Sequence, residues 1–403
     1  MKFHIKYFLF ICIMFITCDY FNDSSNNNKK TWTIMLYIDE DTGPIMQGRF
    51  NHMKNNICSN DNINVVVIED QNYQSANYWY IDEGFEPFLL EELPEVNMGD
   101  SKILSDFIEY SKDKFPANRY LLALFDHGGA WQGACWDQSH DMDNLTPPEM
   151  EQALKLNGGV DIILMVACAM GAIEPIYQLS DITDVYIGSE NAIFYDFFGR
   201  AWDEIMFLLK SNLLTDTKIL GDRIVDALWY AEGLNIDNQI DEITLAAYES
   251  KKIKHLVELV DELSELYIQD FSTFKNNLDT ILPLIEYNRA NKIDFFDLMS
   301  LIYQYENNSI IKDKLNEILD YFDSIIINEK HGNNIGFSNG ISIYLPLPSL
   351  EGYNPDYSSN DLNLKFANDT HWDELLEMYY LQSNNIIINY VPKINPLWDT
   401  SGQ

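Results

Sequence analysis

Apolar residues in the first half of the chain fall in short, separated runs. Thr31–Asp39, Ile63–Asp70, Tyr120–Phe125, Val160–Val166 and Val185–Gly188 are rich in β-branched and aromatic residues and are bounded by turn or helix signals. Runs of this kind read as strands buried on both faces, as in a parallel sheet. Asn77–Ile81 and Phe85–Leu90 read as a hairpin around Glu83-Gly84. Between them and the Tyr120 run, Ile103, Leu104, Phe107 and Ile108 fall on one helical face, with Asp100 or Ser101 as cap and Pro116 as stop. Strand, helix, strand at this spacing predicts a parallel α/β unit. The segment from Ala130 is polar and reads as a loop, and Thr146-Pro147-Pro148-Glu149 then opens a helix. A further helix is expected over Ala172–Leu179. Beyond Trp202 the pattern is mostly helical, with heptad-like spacing in Ile253–Ile268 and Ile310–Ile327. A late strand is expected over Gly340–Leu347 and a last amphipathic helix over Thr370–Leu381. The pattern divides the chain into residues 31–210, an α/β core, and 211–385, a helical part packed on it, with 386–403 as a tail.

The extreme N-terminus departs from this pattern. Lys2 and Lys6 precede an unbroken apolar run, Tyr7–Ile16, which ends at Thr17-Cys18-Asp19. The run is shorter than the ~20 residues that span a bilayer and reads as a signal peptide over residues 1–18. Residues 19–30 are rich in Asn and Ser and suit a flexible tether. Composition narrows the partners. With 63 acidic against 26 basic residues, the formal charge is −37. That surface repels nucleic acid and anionic headgroups, and attracts cations.

The ends of the predicted strands carry the chemistry, as open α/β sheets require. The Tyr120 strand runs into Asp126-His127-Gly128-Gly129, and the Val160 strand into Ala167-Cys168. Adjacent strands would set imidazole beside thiol, the minimum apparatus of a cysteine nucleophile. Taken alone, Cys168 would be an inert core cysteine. Beyond the signal, only Cys58, Cys135 and Cys168 remain, which is neither a disulfide framework nor a zinc site. Cys135 follows a turn, and Cys58 a helix-like segment, so both read as structural or surface thiols. His140 with Asp137, Asp141 and Asp143 has the residue types of a metal cluster, but the favoured reading is a solvated acidic loop.

These residues resemble the clostripain family of cysteine peptidases, in the wider caspase-like clan. The resemblance rests on TWTIMLYIDED, NVVVIED, NMGDSKILSDFIEYSKDKFPANRYLLALFDHGGAW and, most strongly, DIILMVACAMGAIEPIYQLSD followed by VYIGSEN. Weaker echoes reach NGISIYLPL and FANDTHWDELLEMYY. It implies a caspase-like α/β/α sandwich with a mostly parallel central sheet, and an endopeptidase acting on peptide or protein substrates. His127 matches the family's catalytic histidine and Cys168 its nucleophile. The Gly128 and Cys168 N–H groups would form an oxyanion hole. Ala167 would let substrate lie close, and Ser189-Glu190 matches a family position at the substrate cleft. Cys18 resembles the lipidated cysteine of bacterial lipoproteins, implying a membrane-anchored protein at the cell surface or in the periplasm. Ordinary secretion or a retained anchor is the alternative. The resemblance fixes no cofactor; calcium dependence in some relatives makes Ca²⁺ a candidate, although no loop of EF-hand spacing is present.

Two departures stand out. The family usually carries Asp two residues before the nucleophile, where it pairs with a basic P1 side chain; here the residue is Val166. A guanidinium left unpaired in such a pocket costs several kcal/mol. P1 is therefore expected to be uncharged unless Asp196 substitutes as the pocket acid. Relatives also mature by a cut after a basic residue between histidine and cysteine. The only Lys or Arg in that interval is Lys155, within the predicted helix. The rival from another class is a catalytically silent binding lipoprotein on the same fold, with Val166 marking the drift. A weaker rival is an acyltransferase or amidase using the same dyad.

Overall fold

The structure, a computed structural model, describes residues 29–41, 49–71, 73–84, 86–193, 197–210, 216–233, 243–285, 293–346 and 352–382. The segments expected to be a signal peptide and, but for residues 29 and 30, a tether lie outside them, with Cys18, Asp196 and the 386–403 tail.

The predicted apolar runs form β1 (Lys30–Glu40), β2 (Ile63–Gln71), β3 (Asn77–Ile81), β4 (Pro87–Glu92), β5 (Ala117–Phe125), β8 (Ile162–Val166) and β9 (Val185–Gly188). The intervening segment supplies β6 (Ala134–Asp137) and β7 (Asp143–Leu145). The second half adds β10 (Thr244–Glu249) and β12 (Ile326–His331). All of these except β6 and β7, which pair with each other, make a nine-stranded sheet in the order β12-β10-β9-β8-β5-β1-β2-β3-β4. The strands β2, β1, β5, β8 and β9 pair in parallel, while β3, β4, β10 and β12 are antiparallel margins. Strand order reverses beside β1, so the crevice at the carboxyl ends of β1, β5 and β8 is where such a sheet places its ligands.

Side chains alternate across the sheet with the strand period of two. Met35, Tyr37, Leu122, Leu124, Ile163 and Met165 enter one buried cluster. It is covered by α1 (Ser101–Lys114), α2 (Pro147–Leu156), α3 (Ile173–Gln178) and, from the second half, α6 (Ile253–Gln269). Ile34, Leu36, Phe125, Leu164 and Val166 enter the opposite cluster, under α4 (Phe197–Lys210) and α5 (Thr217–Gly233). The result is the expected three-layer α/β/α sandwich. Local signals act as read: the Asp100 carboxylate accepts the Lys102 N–H to cap α1, and Thr146 with Glu149 forms a capping box at α2.

Three expectations are corrected. The segment after Gly129 is a structured two-stranded hairpin, β6 with β7, and not a plain loop. The second half contributes β10 and β12 to the main sheet, so that sheet crosses the 210/211 boundary. The late apolar run makes only β13 (Ser342–Ile343), which pairs with β11 (Ile293–Asp294) outside the main sheet. Ile341, Ile343 and Leu345 are instead buried against the helical layer.

Candidate active site

Two neighbouring strands deliver the histidine and the cysteine. In the β5–β8 ladder Phe125 pairs with Val166, and just beyond it the Asp126 N–H reaches the Val166 carbonyl at 3.4 Å. His127 and Cys168 therefore leave the same edge of the sheet from adjacent strands. Gly128 fixes how close the two segments run. A Cβ built on it would lie 2.2 Å from the Cys168 carbonyl oxygen, 2.9 Å from Met170 Cγ and 3.0 Å from Ala167 Cβ. Only a residue without a side chain lets the backbones approach so nearly.

His127 is buried, and its carbonyl accepts the Cys135 N–H at 3.3 Å. The carboxylate of Asp126 accepts the Trp136 N–H at 2.7 Å. The β6–β7 hairpin thus braces the histidine segment, a role that the loop reading missed. Cys135 is wholly buried, and burial pushes its thiol far up, with Asp126 and Asp39 adding to the rise. That placement suits a structural thiol.

Cys168 is partly exposed. Its Sγ accepts the Ile193 N–H at 3.4 Å. Burial raises the thiol above its ordinary value; the Ile193 N–H pulls it down and the Asp126 charge pushes it up again. The resting sulfur is therefore a neutral thiol at pH 7. The segment after it turns sharply. Ala169 has φ 60°, in the left-handed region, and its N–H donates to Asn191 O at 3.0 Å. Ala130 and Cys135, on the histidine side, are left-handed too, at φ 61° and 57°. Non-glycine residues held this way cost about 1–3 kcal/mol each and cluster where geometry matters more than local comfort.

The remaining site residues divide. Ala167 is buried on the sheet face shared with Met165, and Val166 on the opposite face with Phe125 and Ile193. Ser189 is wholly buried, its hydroxyl bonded to the Asn191 carbonyl at 3.1 Å and to Thr244 Oγ1 at 2.9 Å. Glu190 is also buried: its carboxylate accepts the Ser338 hydroxyl and the Gly340 N–H, and burial beside Asp294 pushes it well up. Both side chains turn inward and brace the 189–193 segment, whose Ile193 N–H is the group that meets the sulfur. Nothing in the sequence marked Ile193, because its contact is through the backbone.

The crevice edge is also lined with buried acids. Asp39 and Asp70 are partners in the β1–β2 ladder, and Asp41 and Asp137 are wholly buried nearby. Of the acids grouped with His140 in the expected solvated loop, Asp141 and Asp143 are exposed, but Asp137 is wholly buried. Asp137 accepts the Met98 N–H at 2.8 Å and the His140 N–H at 2.9 Å from inside the protein.

Comparison with known proteins bears on this arrangement. The sequence matches the clostripain family over residues 38–379. It is 23% identical to clostripain of Hathewaya histolytica, over 94% of this chain and 85% of that protein. Among solved structures, a secreted C11 cysteine protease from Bacteroides thetaiotaomicron, bound to an irreversible peptide inhibitor, superposes with a TM-score of 0.65 at 16% identity, over 85% of this chain and 100% of that one. An inactive zymogen C11 protease from Parabacteroides distasonis gives 0.64 at 16% identity, over 86% of this chain and 99% of that one. At such identities the structural likeness speaks for the fold.

Proposed function

Because the chain belongs to the clostripain family of cysteine peptidases, we propose that it is an endopeptidase with Cys168 as nucleophile and His127 as general base. The observation that carries the reading is the β5–β8 register, with Gly128 closed against the Cys168 backbone. A neutral thiol needs a base at the moment of attack. His127 takes the Sγ proton as sulfur bonds to the peptide carbonyl carbon. The oxyanion is met by the Gly128 and Cys168 N–H groups. The imidazolium returns the proton to the departing amine, leaving a thioester. Water, deprotonated by His127, then releases the acid and restores the thiol.

Val166 favours an uncharged P1 side chain, since no carboxylate stands at that position. The same residue is what favours the second reading, a silent binding protein. One experiment separates them. Full-length protein and its Cys168→Ala and His127→Ala variants are treated with an active-site thiol probe and a peptide library. The peptidase reading expects cleavage and Cys168 labelling in wild type and neither in Cys168→Ala, with labelling much reduced in His127→Ala. Intact peptides from a labelled, folded wild type would favour the binding protein, and full cleavage by Cys168→Ala would remove the assignment. Peptide acyl transfer without hydrolysis would point to the acyltransferase.

Export follows from the N-terminal segment and agrees with the secreted relative named above. A lipid on Cys18 would hold the protein at the membrane.

A further inference from the structure

The segment that reaches the sulfur is held from behind by two buried acids. Glu190 lies shortly before Ile193, and Asp294 ends β11 and caps the helix Phe295–Tyr305. Both are buried, and they line one small hollow with Thr244, Ile335, Phe337 and Ser338. Their side chains are hydrogen-bonded to each other. Glu190 also accepts the Ser338 hydroxyl and, at 3.0 Å, the Gly340 N–H. Asp294 accepts the Asp297 and Asn339 N–H groups, each at 2.7 Å, and the Asn339 side-chain amide at 3.0 Å.

Two carboxyl groups bond to each other only with a proton between them. The donors around each decide which one carries it. Three N–H groups converge on Asp294, as suits an anion, whereas Glu190 receives two donors, both on Oε2. Glu190 is therefore the neutral acid, and it donates to Asp294. Burial, followed by the Asp294 charge, pushes Glu190 well above the ordinary carboxyl range, in agreement. Tyr248 of β10 faces the pair, with Tyr186 of β9 and Glu329 of β12 beside it. Burial pushes both tyrosines well up, so they stay neutral, and Glu329 pairs with His331 at 2.8 Å. From Glu190 the support runs on to the nucleophile. The Glu190 and Asn191 N–H groups donate to Thr244 Oγ1 at 2.9 and 3.2 Å. The Asn191 carbonyl accepts the Ala169 N–H, and the Ile193 N–H meets Cys168 Sγ.

We propose that Glu190 is a positioning residue for the nucleophile: as a neutral acid bonded to Asp294, it ties the Ile193 N–H on Cys168 Sγ to the helical second half of the chain. Its consequence for catalysis rests on the peptidase reading; the shared proton does not. The Ile193 N–H is the contact that pulls the Cys168 thiol down, against burial and the Asp126 charge. Were Glu190 to ionise, two anions in one buried hollow would repel, driving the 189–193 segment away from the cap of the Phe295 helix. The contact on the sulfur would loosen with it. The helical half thus acts on the nucleophile through the protein interior.

The test compares full-length wild type with Glu190→Gln and Glu190→Ala by iodoacetamide labelling of Cys168, peptide cleavage and thermal melts, each across about pH 5–8. The Glu190→Gln amide keeps a donor for Asp294 and an acceptor for Ser338 and Gly340, so this variant should label and cleave within about threefold of wild type at neutral pH. Folded wild type holds a proton that an unfolded glutamate, with a pKa of about 4.3, releases, so its stability falls as pH rises through this range. Glu190→Gln has no such proton, and its Tm should gain on wild type by about 5 °C or more between about pH 5 and 8. Glu190→Ala should label and cleave about tenfold more slowly or worse, through kcat rather than KM, with its labelling curve moved to higher pH. Should Glu190→Ala not fold, Ser338→Ala, which removes one donor to Glu190, should slow labelling by about threefold. A Tm gap that does not widen with pH, or a Glu190→Gln variant more than about tenfold slower than wild type, would overturn the neutral acid. A folded Glu190→Ala or, in its place, Ser338→Ala that labels and cleaves as wild type does would overturn the positioning role. A wild type that neither labels nor cleaves would remove the peptidase reading and the positioning role with it, while the melts would still decide the proton.

Discussion

Gly128→Ala tests the site geometry most directly. The added methyl would sit 2.2 Å from the Cys168 carbonyl oxygen, while an ordinary carbon–oxygen contact is about 3.3 Å. The histidine and cysteine segments must therefore part by about 1 Å. Sideways relief is blocked, since Met170 Cγ and Ala167 Cβ lie 2.9 and 3.0 Å from the same point. A misplacement of about 1 Å between reacting groups costs roughly 100-fold, or about 3 kcal/mol of transition-state stabilisation. Movement of the Gly128 N–H away from the oxyanion acts in the same direction, so catalytic efficiency should fall by roughly 100- to 1000-fold. Overpacking should lower stability by about 1–3 kcal/mol. Gly336→Ala is the control, since a Cβ there meets nothing within 4 Å. The assay pairs steady-state cleavage of a fluorogenic peptide with titration of reactive thiol and a thermal melt. Gly128→Ala should stay folded, lose activity and label slowly, while Gly336→Ala behaves as wild type. A folded Gly128→Ala enzyme with activity within about threefold of wild type would refute the closed geometry.

Three further outcomes follow. Burial holds the Cys168 thiol above its ordinary value, so its thiolate fraction, and with it the rate of alkylation by neutral iodoacetamide, should climb about tenfold per pH unit from about pH 6 to 8; a plateau below neutral pH would reveal a resting ion pair and contradict the neutral thiol. With matched peptides, wild type should cleave after Leu or Ala in preference to Arg, and Val166→Asp should shift preference toward Arg by roughly 30-fold or more while lowering Tm; a wild type that cuts almost solely after Arg or Lys, and loses this in Asp196→Ala, would assign the pocket acid to Asp196. Wild type should partition into detergent and Cys18→Ser into the aqueous phase, and an aqueous wild type would remove the lipid anchor.

Much of the sheet was legible because buried parallel strands are written locally, as apolar runs with ends. His127-Gly128 and Ala167-Cys168 stood out for the same reason: each pair terminates such a run. β10 and β12 lack that signature. Thr244–Glu249 leads straight into the amphipathic α6, and Ile326–His331 is a half-buried margin strand whose leading isoleucines continue the period of the preceding helix. Only tertiary pairing makes them strands. The β6–β7 hairpin is too short to show a period, and its strand character comes from the pairing of Ala134 with Leu145 and from the Trp136 N–H held by Asp126. Least legible was the bond between Glu190 and Asp294, because its partners lie in different halves of the chain and no local pattern connects them.

The strand period bears on the specificity role proposed for position 166. Val166 shares its face with Leu164 and Ile162, and continuing the alternation past the strand end puts Cys168 on that same side and Ala167 on the other. A side chain two before the nucleophile is thus the nearest strand residue below the sulfur. At 1% exposure, within the cluster that includes Phe125, Ile193 and Trp202, it has no water to solvate a charge. A carboxylate there would be a standing cost to the free enzyme, relieved only when a cationic P1 side chain arrives. Valine removes that cost and the charge-assisted recognition together. Lower stability and a stronger preference for Arg in Val166→Asp are then two consequences of one buried charge, and they should appear together in the same variant.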